Sequence, residues 1–166
     1  MLEINKNTYV SLEEVDNFIT ENYHHTDTVR VHWEVIDNEE KEIYIKKSAK
    51  EIDGLNLKGY KNLGGQVMAF PRFLPAYSLL NGNTVPEEVK EAQKVNVYGL
   101  IKKEYTMLEN KQFKVLQSLG ATKNFKFNRR QSAEINTVET PSEPAKRVQL
   151  LASEEALNLM QKWLRG

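Results

Sequence analysis

The sequence AKEIDGLNLKG at residues 49–59, followed by QVMAFPR at residues 66–72, decides how this chain is organised. The first stretch ends one helical pattern, and VPEEVK at residues 85–90 opens another. Proline is well tolerated at the start of a helix, because its missing amide would have no helical partner there. The segment between the two helices is therefore predicted to be an ordered, largely apolar connector, and nothing in it is catalytic in type.

Capping signals and apolar periodicity predict two helices before this connector. Residues 11–14 (SLEE) form a capping-box pattern, and apolar side chains follow at helical spacing. A second helix should begin after Asp37 and run to about Asp53, with Gly54 as its C′ residue. Residues 28–36 alternate somewhat in polarity, so a strand is also possible there.

The second half of the chain predicts a change of structure. The helix that Pro86 opens should run to about residue 109, and Gly99 inside it indicates close packing by a neighbouring helix. Residues 111–131 alternate between apolar and polar side chains and predict a β-hairpin. Residues 132–166 contain a polar linker followed by a short amphipathic helix.

The predicted fold is mainly α: a small bundle of three to four helices with a β-hairpin and an extended C-terminal tail ending in a short helix. The helical core covers residues 1–110, the hairpin covers residues 111–131, and the linker and last helix cover residues 132–166. With 166 residues, one domain with a modest core is the expected arrangement.

Composition excludes several classes of protein. The chain has no cysteine, which rules out disulfides, thiol catalysis and cysteine-bound metals. No apolar run approaches membrane-spanning length and the N-terminus does not resemble a signal peptide, so no membrane partner is expected.

His24, His25 and His32 are expected to be exposed loop residues, so neither a metal site nor a cofactor is predicted. Without a phosphate loop or a nucleophile elbow, an enzyme is not expected.

Charge is balanced over the whole chain but divided along it. Residues 1–60 carry 13 acidic and 7 basic side chains, whereas residues 61–166 carry 10 acidic and 16 basic ones. Such a division could orient one copy of the protein against the next in a head-to-tail ring. Two solvated surfaces of uneven composition are the plainer interpretation.

Two basic features leave alternatives open. Proline fixes the chain ahead of Arg72, whose head could pair with an acid on a neighbouring subunit or with Asp53 of its own chain. A later segment interleaves cations with aromatic rings: Lys123, Phe125, Lys126, Phe127, Arg129 and Arg130. This pattern is typical of surfaces that bind single strands, although a hairpin with one packed and one solvated face explains it equally simply and is favoured.

The last helix poses a comparable choice. It follows a long polar linker and has little local core to join. Trp163 and Leu164 could fold back onto the body of the protein, or they could dock in a groove of another protein.

Five segments in a fixed order resemble one family: Asn7-Thr-Tyr9-Val-Ser11-Leu-Glu-Glu14 leading to Phe18; Lys41 leading to Ala49 and Ile52-Asp53; Leu57-Lys-Gly59; Gln66 leading to Phe70-Pro71-Arg72; and Val85-Pro86 leading to Val89-Lys-Glu-Ala92. Together they resemble the phage proteins labelled DnaT-like single-stranded-DNA-binding, which themselves resemble head–tail connector (adaptor, head-completion) proteins of long-tailed phages. The resemblance covers residues 5–100.

The resemblance implies a structural protein of the virion neck, synthesised in the host cytoplasm. Its copies would form a ring, commonly of about twelve, below the portal and extend the DNA channel. The implied partners are other copies of the chain, the portal protein, a tail-side neck protein and the double-stranded DNA that passes through the channel. The alternative is a single-stranded-DNA-binding replication accessory protein, for which the segment 123–130 is the best support.

Candidate contact residues follow from charge and position. The expected subunit contacts join acids of the second helix to bases of the third, together with Arg72: Glu39, Glu40, Glu42, Lys90, Lys94, Lys102 and Lys103. The expected portal contacts lie in the hairpin and the tail: Arg129, Arg130, Leu157, Met160, Trp163 and Leu164. No catalytic or metal-binding residue is predicted.

Overall fold

The computed structural model of the protein describes residues 1–61, 65–74, 84–118 and 151–165, with the backbone alone for 109–118. The chain divides into two compact units, Met1–Glu104 with Gln149–Gly166, and Tyr105–Val148. Everything described below belongs to the first unit, apart from the helical segment 105–118.

The elements follow in the order α1 (Leu12–Asn22), α2 (Thr28–Val35), α3 (Asn38–Asp53), β1 (Tyr60–Lys61), β2 (Arg72–Phe73), α4 (Glu87–Ser118) and α5 (Glu154–Met160), which a turn of 3-10 helix (Gln161–Trp163) extends. The prediction of a mainly α chain is confirmed, and a small two-stranded sheet is present. This sheet lies in the connector, whereas the sequence predicts the hairpin at residues 111–131. Strands β1 and β2 pair antiparallel within the described residues.

Side-chain caps begin the helices where the sequence indicates. Ser11 Oγ accepts a hydrogen bond from the Glu14 amide at 3.1 Å, and the Glu14 carboxylate accepts one from the Ser11 amide at 2.6 Å. This reciprocal pair is the predicted capping box. Asp37 likewise caps α3 by accepting from the amide of Glu40 at 2.8 Å.

The possible strand at residues 28–36 is wrong, since α2 occupies this stretch. The Asp27 carboxylate accepts from the amides of Val29 and Arg30 at 2.9 and 3.2 Å, which satisfies two amides that a helix start would leave unpaired. Val29 and Trp33, four positions apart, then share one buried face. Val31, midway between them, is exposed, whereas in a strand it would share their buried face.

Two helix ends also differ from expectation. Gly54 is the C-cap of α3 with φ of −76°, so it is not a left-handed C′ residue. The predicted hairpin is wrong over residues 111–118, which continue α4 as helix. This stretch is rich in Lys, Gln and Leu, which lose little side-chain freedom in a helix. Residues 119–131 of that hairpin, and most of the linker, lie outside the described residues.

A buried glutamine joins the N-terminal segment to α3 and α4. The Tyr9 amide donates to Gln93 Oε1 at 2.9 Å, while Gln93 Nε2 donates to Thr8 Oγ1 at 2.9 Å and to the Ile45 carbonyl at 3.0 Å. Ser48 Oγ donates to the Gln93 carbonyl at 2.9 Å. Because each buried polar group finds a partner, this network positions α3 against α4 without an uncompensated desolvation cost.

The close approach at Gly99 is confirmed. A Cβ atom built there would lie 2.9 Å from the Cβ of Ser153, the residue that caps α5. The C-terminal segment therefore returns to α4 within the first unit. Over the part of the chain that is described, no helix is both long and apolar enough to cross a bilayer.

Candidate nucleic-acid interface on the connector

The connector between α3 and α4 is held from the inside by the hydroxyl of Tyr9. This hydroxyl donates to the Asp53 carboxylate at the end of α3 and accepts from the amides of Ala69 and Phe70 at 3.1 and 3.2 Å. Burial raises the pKa of Asp53, and burial beside Asp53 raises the pKa of Tyr9, so its hydroxyl stays protonated. One side chain thereby joins the N-terminal segment, α3 and the connector.

Three rings, Tyr9, Phe70 and Trp163, pack on this inner side and form what we call the buried aromatic cluster. Phe70 lies between the other two, with ring centroids 5.9 Å from Tyr9 and 5.0 Å from Trp163, both in edge-to-face geometry. Phe70 is fully buried and Trp163 is 4% exposed. The cluster docks the C-terminal segment onto the connector.

Arg72 fixes the connector backbone from the other side. Its guanidinium donates to four backbone carbonyls, those of Leu57 (3.4 Å), Lys58 (2.8 Å), Gly59 (2.8 Å) and Ala69 (3.3 Å). The predicted ion pair with Asp53 is wrong, because Arg72 forms no salt bridge with any described residue. Its other predicted role, pairing with an acid on a neighbouring subunit, stays a prediction.

The outer side of the connector carries an exposed ribbon, which we define as Tyr60, Lys61, Arg72 and Phe73. Tyr60 lies directly opposite Phe73, and Lys61 opposite Arg72. Directly opposed residues of an antiparallel pair point to the same face, so the two aromatic side chains share one face. Tyr60 is 70% and Phe73 40% exposed, which is unusual for two adjacent aromatic side chains.

Cations lie in and beside the ribbon without salt bridges to the described carboxylates, although the charge of Asp53 acts on Lys61 and Arg72. Lys61 Nζ donates to the carbonyls of Gln66 and Val67 at 3.2 and 2.9 Å, and the Arg165 side chain donates to the Leu57 carbonyl at 3.0 Å. In the described part of the chain, no salt bridge involves Lys58, Lys61, Arg72 or Arg165. Exposed aromatic rings can stack on bases, and cations nearby can neutralise phosphates.

Sequence reasoning did not identify this surface and placed its aromatic–basic pattern at residues 123–130, which lie outside the described residues. The local signal was present, because KGYK at residues 58–61 and Arg72-Phe73 each place an aromatic residue beside a cation. What the sequence does not reveal is that the two stretches pair, which requires the antiparallel register.

Several predicted subunit contacts are engaged within the chain. The carboxylate of Glu42 lies 2.5 Å from the N-terminal amino group and 2.9 Å from Lys46 Nζ. Lys90 pairs with Glu87 and Lys94 with Glu91, each one helical turn away. Exposure is shared by the other four, Glu39, Glu40, Lys102 and Lys103, of which Lys102 also contacts its own chain, with Nζ 5.9 Å from the centroid of the Tyr98 ring.

The predicted portal contacts of the tail divide by burial. Met160 and Trp163 are buried inside this chain, whereas Leu157 and Leu164 are half-buried. Of the two alternatives for the last helix, the structure has the one in which it folds back onto the body. Arg129 and Arg130 lie outside the described residues, and a portal contact stays a prediction.

Histidines and acids provide no metal site within the ranges that the structure describes, where no group of three or more such side chains is suitably placed. His24 and His25 are exposed next to α2, and the His24 ring lies 2.8 Å from Thr26 Oγ1. His32 differs from expectation, since it lies within α2 and not in a loop.

The sequence matches the protein family described as "Putative DnaT-like ssDNA binding protein" over residues 2–141. The chain belongs to this family. The match includes α1 to α4, the connector and the exposed ribbon, and it ends before α5. The comparison with curated proteins and the comparison with solved structures both found no match. The resemblance to proteins with the DnaT-like label is thus confirmed, while a head–tail connector identity remains a prediction.

Proposed function

We propose that this protein binds single-stranded DNA through the exposed ribbon of its connector. Membership of a family described as DnaT-like and ssDNA-binding supports the proposal. The structural observation that carries it is the exposed pair of Tyr60 and Phe73, side by side on one face. Base stacking on such a ring contributes about 1–3 kcal/mol per base and depends little on sequence.

The ribbon is suited to stacking because its backbone is held in place. Arg72 holds the carbonyls of residues 57–59 and 69, and the buried aromatic cluster anchors the connector from behind. A platform that is ordered before binding loses little conformational entropy when the ligand arrives. The exposed rings can therefore bind a base with little loss of conformational entropy.

The charge of the chain sets the expected strength of binding. The formal net charge is zero, so attraction is confined to the cations near the ribbon. With two to four phosphates neutralised, the logarithm of the affinity should fall with the logarithm of salt concentration at a slope of about −1.4 to −2.8. Binding should accordingly be measurable at low salt and weak at high salt.

Fluorescence anisotropy of a labelled oligothymidine tests this function. Tyr60→Ala and Phe73→Ala should each weaken binding by about 5- to 150-fold, which corresponds to one lost stacked base. Ile43→Ala is the matched control, because Ile43 is a comparably exposed apolar side chain on α3. Failure of the unaltered protein to bind the oligonucleotide at low salt would refute the function.

A second candidate function is that of a head–tail connector subunit. We propose it on the division of charge along the chain and on two oppositely charged exposed pairs. Glu39 and Glu40 lie exposed in the first turn of α3, and Lys102 and Lys103 lie exposed on α4. Opposite charges on two different surfaces suit a heterologous interface, which closes into a ring if the rotation between copies allows it. The ring would surround double-stranded DNA between the portal and a tail-side neck protein.

Charge reversal combined with light scattering tests the second candidate. Glu39→Lys with Glu40→Lys, and separately Lys102→Glu with Lys103→Glu, should each prevent ring formation at low salt. Mixing the two variants should restore mixed assemblies, because each then presents the surface that the other lacks. A protein that stays monomeric alone and in the presence of the portal would argue against this role.

A further inference from the structure

The C-terminal segment reaches the base of the exposed ribbon through backbone contacts. Leu164 forms an antiparallel bridge with Leu57. The Lys58 amide donates to the Trp163 carbonyl at 2.7 Å, and the Arg165 amide donates to the Asn56 carbonyl at 2.9 Å. The last described residues are therefore aligned, like a short added strand, beside the chain that leads into β1.

This alignment brings two guanidinium groups together. Arg165 Nε donates to the Leu57 carbonyl at 3.0 Å, and Arg72 Nη2 donates to the same oxygen at 3.4 Å. Burial lowers the pKa of Arg72, and the positive charge of Arg165 lowers it further. The nearby negative charge of Asp53 acts in the opposite direction, but the pKa of Arg72 is lowered on balance.

Most of the hydrogen-bonding capacity of Arg165 is unused. A guanidinium carries five N–H donors, and Arg72 directs donors from all three of its nitrogens to backbone carbonyls. Arg165 uses only Nε, so its two terminal amino groups have no partner among the residues that are described, and the side chain is exposed. Two like charges held side by side repel each other, and an anion between them would relieve that repulsion.

We propose that Arg165 binds one backbone phosphate of single-stranded DNA through its unused terminal amino groups, with the positive charge of Arg72 beside it, while neighbouring bases stack on Tyr60 and Phe73. The inference rests on the proposed function and adds the C-terminal segment to its site. A guanidinium presents paired donors that match the oxygens of a phosphate, which a single ammonium group cannot do. The contribution of Arg165 lies beyond the family match, which ends at residue 141.

The two contacts would lie on opposite faces of a small ribbon. The rings lie on one face and the side chains of Lys61 and Arg72 start from the other. Because each strand is only two residues long, the proposal requires the oligonucleotide to pass around the edge of the ribbon. Lys58, whose amide donates to the Trp163 carbonyl, is also exposed near this edge.

The test uses the full chain and a fluorescein-labelled oligothymidine titrated at several salt concentrations. Arg165→Gln should weaken binding about tenfold and reduce the magnitude of the salt slope by about 0.7, the contribution of one phosphate contact. Arg165→Lys should recover part of the affinity and the full slope, because it restores the charge without the paired donors. Competition with inorganic phosphate, which lacks bases, should displace the oligonucleotide only at far higher concentration.

Lys162→Gln is the matched control. Lys162 is an exposed cation of the same segment, but it is paired with Glu88 on α4, so its loss should change affinity less than twofold. Thermal unfolding of every variant checks that the segment stays docked. Equal weakening by Arg165→Gln and Lys162→Gln, together with lower stability, would overturn the inference in favour of undocking.

The two proposals fail in different ways. If the unaltered protein does not bind the oligonucleotide, the proposed function is wrong and the phosphate site falls with it. If the unaltered protein binds and Tyr60→Ala weakens binding, but Arg165→Gln retains full affinity and slope, only the phosphate site is wrong.

Discussion

The connector carries two sets of aromatic side chains with opposite environments. Phe70 is fully buried against Tyr9 and Trp163, whereas Tyr60 is 70% exposed and Phe73, three residues after Phe70, is 40% exposed. The buried rings have neighbours that explain their presence by packing. The two exposed rings leave apolar surface that the fold does not cover and that is accessible to a ligand.

The polar groups around the two sets differ in the same way. On the buried side, the Tyr9 hydroxyl makes three hydrogen bonds, each to a group of the same chain. On the exposed side, the cations contact backbone carbonyls and Arg165 retains unused donors. On the first side the Tyr9 hydroxyl is satisfied within the chain, although the buried Trp163 Nε1 has no hydrogen-bond partner among the described residues. The second side has donors available for another molecule.

The largest expected effect is on the free energy of unfolding, which should fall far more when a buried ring is removed than when an exposed ring is removed. Phe70→Ala should lower the free energy of unfolding by about 3–5 kcal/mol, because it removes a fully buried ring and both of its edge-to-face contacts. Tyr60→Ala should change it by no more than about 0.5 kcal/mol. Urea denaturation followed by circular dichroism measures both. Similar losses for the two variants would remove the distinction between the sets.

The next effect concerns Gly59, which joins the inner and outer sides. It has φ of +73°, and a Cβ atom there would lie 2.2 Å from the Phe73 carbonyl oxygen. Gly59→Ala should therefore cost about 2–4 kcal/mol, since strain and a backbone clash combine. Gly65→Ala is the control, because Gly65 has φ of +80° and no described residue beyond its chain neighbours lies within 4 Å of the added carbon. It should cost only about 1–2 kcal/mol in the same denaturation experiment.

A smaller effect is expected at the docking site of the C-terminal segment. Alanine normally stabilises a helix interior by about 1 kcal/mol relative to glycine. Gly99→Ala should instead destabilise by about 1–3 kcal/mol, because the new methyl group meets Ser153 at 2.9 Å. Lys103→Ala, at an exposed position of the same helix, should be nearly neutral. A gain in stability from Gly99→Ala would mean that the segment does not pack here.

The smallest expected effect is a pH dependence of the free energy of unfolding that arises from Asp53. Burial raises the folded-state pKa of this group above 3.8, so the folded protein holds its proton more tightly than the unfolded chain does. The contribution of this bound proton to the free energy of unfolding is fully present below pH 3.8. It is lost as the pH rises through the folded-state pKa.

Asp53→Asn keeps an acceptor for Tyr9 but cannot ionise. Its free energy of unfolding, relative to the unaltered protein, should therefore increase between about pH 3.5 and pH 7. Glu88 and Glu104, whose pKa values are lowered by hydrogen bonds from Lys162 and Tyr44, are common to both proteins and cancel in the difference. A difference that stays constant over this range would exclude a raised pKa for Asp53.

Features that depend on neighbouring residues were predictable from the sequence, as the capping box of α1 and the cap of α3 at Asp37 show. The close packing at Gly99 also agrees with prediction, but the sequence did not identify its distant partner, Ser153. Alternating polarity was less reliable, since both stretches assigned to possible strands from it, 28–36 and 111–118, are helical where described. Alternation is a weak signal when a cap or helix-favouring residues act on the same stretch.

The sequence by itself determined where α1 and α3 begin, because each cap joins a side chain to an amide three residues away. Only the tertiary structure decided which aromatic rings are buried, which carbonyls Arg72 holds and that Arg165 lies beside it. Those contacts join residues far apart in the chain, such as Arg165 and Leu57 at a separation of 108. They form only when packing has brought distant segments together, and no local pattern encodes that proximity.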